Sequence, residues 1–216
     1  MIDLATSLTS AIAEIVERVQ RSLVVLHNGQ NGVGAGIIWS RDGLIVTNHH
    51  VIVHGHSRAS LPDGRDYPAR VIAQDPEIDL AMMQIEAQDL PVALVADSRN
   101  LQVGQLVLAV GHPWGQRGVV TAGLISGLSK AHTRGKRGSV EIIRSDVRLA
   151  PGNSGGPLVN AIGAVVGINT MIIGGDLGLA IPSHVVSAFA DQIMGKAEQP
   201  KERRRSHSWT SAERIA

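Results

Sequence analysis

The chain of 216 residues has no cysteine, which excludes disulfides, thiol nucleophiles and cysteine-ligated metal centres but leaves the redox compartment open. Aromatic residues are scarce. Three Trp, one Tyr and one Phe mean that any core is built from Val, Ile, Leu and Ala. No apolar run approaches the ~20 residues that a bilayer span requires. The first 20 residues carry Asp3, Glu14 and Glu17 without a basic start or a long apolar segment, so no signal peptide is visible. As written, the chain reads as soluble and cytoplasmic, or as exported if a leader has been removed, with no membrane insertion. Net charge is only +1. The segment from Lys196 onward holds six basic and three acidic residues, and the preceding 195 residues hold 14 and 16, so the body carries −2 and offers nothing to nucleic acid.

Hydrophobic periodicity is plentiful. Leu4, Leu8, Ala11, Ile12, Ile15 and Val19 recur at three- and four-residue spacing, which predicts an amphipathic helix over residues 3–21. Short β-branched runs then alternate with turn signals such as Arg41-Asp42-Gly43, Pro62-Asp63-Gly64 and Gly174-Gly175-Asp176. The runs are Leu23–Leu26, Gly36–Trp39, Leu44–Thr47, Ala69–Ile72, Leu80–Ile85, Leu106–Val110, Val119–Ile125, Val140–Ser145, Leu158–Val159, Ala164–Thr170 and Leu177–Ile181. Such spacing indicates an all-β sandwich or barrel, with Asp89–Asn100 linking two halves. Pro182–Met194 reads as a closing helix with Ser183 as its N-cap. The segment with Arg203-Arg204-Arg205 has no apolar period and reads as a solvated, disordered tail.

Three stretches carry chemistry. In Pro151-Gly152-Asn153-Ser154-Gly155-Gly156-Pro157, glycines free the backbone around a serine, as a nucleophile with nearby N–H donors requires. The backbone N–H groups of Gly152 and Ser154 are the expected donors. Ser154 also satisfies G-x-S-x-G, but Pro157 and a following strand take the place of the helix that an α/β-hydrolase elbow needs. The strand Leu44–Thr47 delivers His49 and His50, either of which is chemically suited to serve as general base. A zinc site from His50, His54 and His56 has no helical frame and no acidic partner nearby. Asp79 precedes the apolar run Leu80–Ile85, where a carboxylate can orient an imidazole. The order His, Asp, Ser is that of chymotrypsin.

Taken jointly, several stretches resemble the protease domain of the HtrA (high-temperature requirement) family of trypsin-like serine peptidases, from about residue 23 to 190. They include Gly34-Ala35-Gly36, Thr47-Asn48-His49-His50-Val51, Asp75–Leu80, Val110-Gly111-His112-Pro113-Trp114-Gly115, Pro151–Leu158 and Gly178-Leu179-Ala180-Ile181-Pro182. The resemblance implies two six-stranded antiparallel barrels over residues 23–90 and 103–194. A helix over 1–22 would precede them, a linker over 91–102 would join them, and a basic tail over 195–216 would follow. It also selects His50, the His directly before Val51, as base, with Asp79 as acid and Ser154 as nucleophile.

The oxyanion hole is assigned to Gly152, Asn153 and Ser154, and the substrate pocket to Leu149, Ala150, Pro151, Leu177, Gly178 and Leu179. Leu177–Leu179 is expected to pair with the substrate backbone, and Arg148 to face away from the pocket. Implied partners are unfolded polypeptides, and no cofactor or metal is implied. The C-terminal PDZ domain common in the family is expected to be absent. Family trimers often use N-terminal aromatic residues. None stands before Trp39, so any homotrimer would rely on the Leu/Ile face of residues 4–19. A contrasting expectation is a catalytically silent or gated barrel that binds unfolded chain. His50→Ala is expected to abolish casein cleavage and His49→Ala to retain most of it; the reverse result would reassign the base.

Overall fold

After residue 20 the hydrophobic period changes from that of a helix to that of strands, and the backbone follows it. The computed structural model describes residues 4–27, 33–52, 57–132, 135, 137–173 and 177–197. Helix α1 (Leu4–Gln20) leads into β1 (Leu23–His27), β2 (Val33–Ile38), β3 (Leu44–Thr47), β4 (Ser57–Ser60), β5 (Asp66–Asp75) and β6 (Leu80–Gln84). These six strands close a barrel in the order β1-β2-β3-β6-β5-β4. A second closed barrel, β10-β11-β12-β9-β8-β7, is formed by β7 (Leu106–Gly111), β8 (Val119–His132), β9 (Ser139–Ser145), β10 (Pro157–Asn160), β11 (Val165–Ile173) and β12 (Leu177–Pro182). Every ladder pairing within the two barrels is antiparallel. Helix α2 (Ser183–Ala197) packs on β11 and β12.

Several central strands are apolar on both faces, and the packing explains why. Ile38, Ile45 and Met83 point into the first barrel with Val24, Leu26 and Leu61. Their chain neighbours Ile37, Leu44, Val46 and Met82 point outward, into a layer shared with Leu108, Val110, Val159 and Ile168 of the second barrel. Val107, Ala109, Ile125 and Leu158 fill the second barrel. Val19 of α1 and Val186 and Phe189 of α2 seal the shared layer. Each fully buried Val, Leu or Ile contributes about 1.5–3 kcal/mol relative to its exposed state, so this layer fixes one barrel against the other.

The segment after β6 spans both barrels. Ala93 N–H donates to Ile38 O at 3.2 Å, and Leu94 O accepts from Val165 N–H at 2.7 Å. Strand β4 was not anticipated. Its Ser57, Ala59 and Ser60 are buried but small, and Arg58 is exposed, so no bulky alternation marks it. Strand β8 runs seven residues past the predicted end at Ile125, to His132, as an arm whose outward positions are polar or exposed. Helix α2 continues three residues beyond Met194, to Ala197. The Gly174-Gly175-Asp176 turn, His54, His56 and residues 198–216 lie outside the described residues.

Ser183 does not cap α2. Its hydroxyl donates to Ala96 O and accepts from Ser98 N–H, while Ser98 Oγ accepts from His184 N–H at 3.1 Å. The side chain thus ties the inter-barrel segment to the helix start. Ser183 is fully buried, so Ser183→Ala should leave the buried Ser98 N–H and the half-buried Ala96 O unpaired and cost about 1–3 kcal/mol. A lowered urea midpoint with unchanged activity per folded molecule would check this.

Candidate active site

The acid, the imidazole and the hydroxyl come from both barrels. Strand β3 ends in a short 3₁₀ turn, His49–Val51, which brings His50 back over the turn before β6. Asp79 ends that turn with φ of +53°, a left-handed conformation that Asp tolerates better than most side chains. Its carbonyl is held by His49 N–H at 3.1 Å and Asn48 Nδ2 at 3.0 Å. Its carboxylate accepts from His50 twice: the backbone N–H reaches Oδ1 at 3.0 Å, and ring Nδ1 reaches Oδ2 at 2.8 Å. That second bond sets the imidazole proton on Nδ1 and leaves Nε2 free to accept. A further donor, the Thr170 hydroxyl, reaches the same Oδ2 from β11 of the other barrel. Burial works against ionisation of Asp79, but the bonds from the His50 ring, the Thr170 hydroxyl and the His50 N–H outweigh it and hold the carboxyl below the ordinary carboxylate value.

Ser154 lies one link further along. Its hydroxyl donates to Thr170 O at 2.8 Å, so Thr170 contacts the acid through its side chain and the serine through its backbone. In this state the hydroxyl is directed at that carbonyl and not at the imidazole. Ser154 O accepts from Ala35 N–H at 2.9 Å, which ties the serine to the first barrel. A Cβ on Gly155 would fall 2.1 Å from Ala35 O and 2.3 Å from Thr47 Oγ1, so only glycine lets the chain pass there.

The preceding turn has type II character. Asn153 N–H donates to Ala150 O at 2.9 Å, with Pro151 and then Gly152 at the corner, and Gly152 has φ of +104°. Gly152 O accepts from His112 N–H at 3.0 Å, and a Cβ on Gly152 would meet His112 O at 2.3 Å. Among the described residues the N–H groups of Gly152 and Ser154 have no acceptor. The oxyanion assignment therefore needs one correction, because the Asn153 N–H is consumed inside the turn and is not a free donor.

The assigned pocket residues divide. Gly178 packs against Leu149, since a Cβ there would lie 3.2 Å from Leu149 Cδ1. Leu149 and Ala150 are half-buried, Pro151 is exposed, Leu177 is half-buried and Leu179 is buried. Arg148 is exposed, and its carbonyl accepts from Thr121 Oγ1 at 2.8 Å. Backbone pairing counts against Leu177–Leu179 as the strand that pairs with substrate. Gly178 is already paired with Ile172 on one side and Ser145 on the other, Leu177 faces Ile173 and Leu179 faces Arg144. Gly178, at the centre of the segment, therefore has no spare edge. Strand β11 does have one: its pairing with β10 ends at Ile168, and its register with β12 breaks between Asn169 and Ile172.

Thr170 and His112 were missed by sequence reasoning. The signal for Thr170 was a polar pair, Asn169-Thr170, inside the otherwise apolar Val165–Ile173. His112 is only 4% exposed and accepts from Gly118 N–H through Nδ1 at 3.2 Å. Among the described residues no cluster of His, Asp or Glu is arranged to hold a metal ion, and no helix is long and apolar enough to cross a membrane.

Two antiparallel barrels with these groups between them form the architecture of a trypsin-like peptidase, and the trypsin-like peptidase domain family matches residues 34–168. The chain belongs to that family, on its HtrA-type, DegP-like branch. A DegP-like probable periplasmic serine endoprotease of Chlamydia trachomatis is 39% identical over 173 residues, which cover 76% of this chain and 34% of that protein. The Marinomonas protein of the same description is 44% identical over 172 residues, covering 76% and 36%. The solved structure of the HtrA-type protease AlgW with a tripeptide superposes with a TM-score of 0.77 at 32% identity, covering 85% of this chain and 64% of that one. The chain thus spans about a third of the length of these two curated relatives.

Burial, followed by the positive charge of Arg117, lowers the His112 pKa to about 4. An unfolded histidine titrates near ~6.5, so between these values the unfolded chain binds the extra proton and the folded chain does not. The stability contributed by neutral His112 is present above about pH 6.5 and declines as pH falls toward about 4, by up to about 3 kcal/mol. Urea midpoints measured across this window should fall for the wild type and flatten in His112→Asn.

Proposed function

We propose that the chain is a serine endopeptidase that cleaves unfolded or misfolded polypeptides through an acyl-enzyme, with Ser154 as nucleophile, His50 as general base and Asp79 as the acid that orients it. One observation carries the reading: the Asp79 carboxylate receives both donors of His50, and through Thr170 it is linked to the hydroxyl of Ser154. His50 Nε2 is then free to take the serine proton once the hydroxyl leaves Thr170 O and turns toward the imidazole. Ser154 Oγ attacks the peptide carbonyl, and the imidazolium returns the proton to the leaving amine. Water, activated by the same ring, then hydrolyses the ester.

Charge developing on the carbonyl oxygen is stabilised by the N–H groups of Gly152 and Ser154, a contribution of about 10²–10³ in turnover per donor. The substrate backbone adds along β11 near Thr170 as an extra strand. Leu149, Ala150, Pro151 and Gly178 border the side-chain pocket. Peptide as substrate is consistent with the tripeptide named for AlgW, and the periplasmic description of the relatives supports action outside the cytoplasm.

A gated form of this reading is favoured by the Ser154–Thr170 bond, because the resting hydroxyl is engaged elsewhere than at its base. Fluorophosphonate labelling tests both. Wild type should label at Ser154 and cleave casein, and Ser154→Ala should do neither. His50→Ala should lose at least about 10³-fold in casein turnover. Equal casein cleavage by wild type and Ser154→Ala would end the assignment.

A further inference from the structure

Between α1, β1, the Leu61–Pro62 corner and the loop carrying His112 lies a cavity of about 170 Å³ that the proposed reaction does not use. Its walls divide by chemistry. Leu23, Val25, Leu61 and Pro62 supply aliphatic surface, Gln20 and Ser60 are polar but already bonded to Gly118 O at 2.7 Å and to His27 at 3.0 Å, His112 and Arg117 supply donors, and no lining residue is acidic. Arg117 forms no ion pair among the described residues. The carboxylates around the neighbouring β4–β5 turn pair elsewhere, Asp66 with Arg58 at 3.2 Å and Asp63 with Arg65 at 2.7 Å, although Asp66 also feels the charge of Arg117 at longer range.

His112 adds a buried donor. Its Nδ1 accepts from Gly118 N–H, so the proton of the neutral ring sits on Nε2; this buried atom makes no well-formed hydrogen bond among the described residues, only a weak contact with the Val24 backbone. A buried donor without a well-placed acceptor is unfavourable, and a ligand oxygen would relieve it. The polar end therefore offers one guanidinium and one neutral N–H, a set that suits a monoanion with two oxygens.

We infer that this cavity binds a small aliphatic carboxylate, its head group at Arg117 and His112 and its chain against Leu23, Val25 and Leu61. The occupant shares a residue with the turn before Ser154, because the His112 backbone N–H holds Gly152 O at 3.0 Å. Binding is thereby coupled to the readiness of that turn, a consequence that rests on Ser154 being the nucleophile.

Histidine-labelled protein should be titrated by NMR with hexanoate, hexanol and N-acetyl-leucine. The His112 ring signal, identified by its loss in His112→Asn, should shift saturably with hexanoate. It should shift about tenfold less tightly in Arg117→Gln and not at all with hexanol. Arg117 is exposed, so this variant tests recognition and not folding. Tighter binding of hexanoate or of N-acetyl-leucine distinguishes a free fatty acid from a peptide C-terminus as the source. Absence of a saturable shift, equal response to hexanol, or unchanged affinity in Arg117→Gln overturns the site. Saturating hexanoate should change the rate of fluorophosphonate labelling in wild type but not in Arg117→Gln, and a bound ligand without a rate change overturns the coupling alone. Failure of Ser154 to label with or without hexanoate would instead count against the peptidase reading, since the NMR shift does not depend on it.

Discussion

The molecule depends on one sheet of side chains that belongs to neither barrel. Ile37, Leu44, Val46 and Met82 from one half and Leu108, Val110, Val159 and Ile168 from the other bury their outer faces together. Strands such as β3 and β7 are therefore apolar on both sides, and each barrel taken alone would expose a wide hydrophobic wall. Burial of that wall is non-directional and does not by itself set a register. The directional part comes from backbone bonds that cross the boundary, among them Ala35 N–H to Ser154 O and Val165 N–H to Leu94 O.

The candidate site sits where these two kinds of restraint meet. His50 and Asp79 belong to the first barrel, and Ser154 and Thr170 to the second. Thr170 bridges them by using its hydroxyl toward Asp79 and its carbonyl toward Ser154. On the other side of Ser154, the turn Ala150–Asn153 is pressed against His112, and glycine at 152 is the only residue that allows so close an approach. The serine is thus fixed from three directions by groups remote in sequence, in a chain that has no cysteine for a disulfide brace.

What the amino-acid order made legible follows from which signals are local. Bulky β-branched runs such as Leu44–Thr47 and Leu106–Val110 announced their strands because the side chains needed for packing are also strand formers. Strand β4 was silent because Ser and Ala satisfy a buried position without a hydrophobic pattern. Ser183 looked like a helix cap because nothing nearby in sequence reveals that Ala96 and Ser98 compete for its hydroxyl. In the site, the motifs around His50, Asp79 and Ser154 are contiguous stretches and were readable as such. Thr170 was not, since its partner lies 91 residues away. The pairing that counts against β12 as the substrate edge was hidden for a related reason: strand sequence does not say which neighbours a closed barrel supplies.

Asp79 is gripped from both halves of the molecule, by His50 on its own side and by Thr170 across the boundary. Such an acceptor works as an alignment gauge. A slight slide of one barrel over the other would detach the Thr170 donor, and with it the orientation of the imidazole, while both hydrophobic interiors stayed closed. Warming should therefore silence the chemistry at a lower temperature than it melts the sheets, with full recovery on cooling.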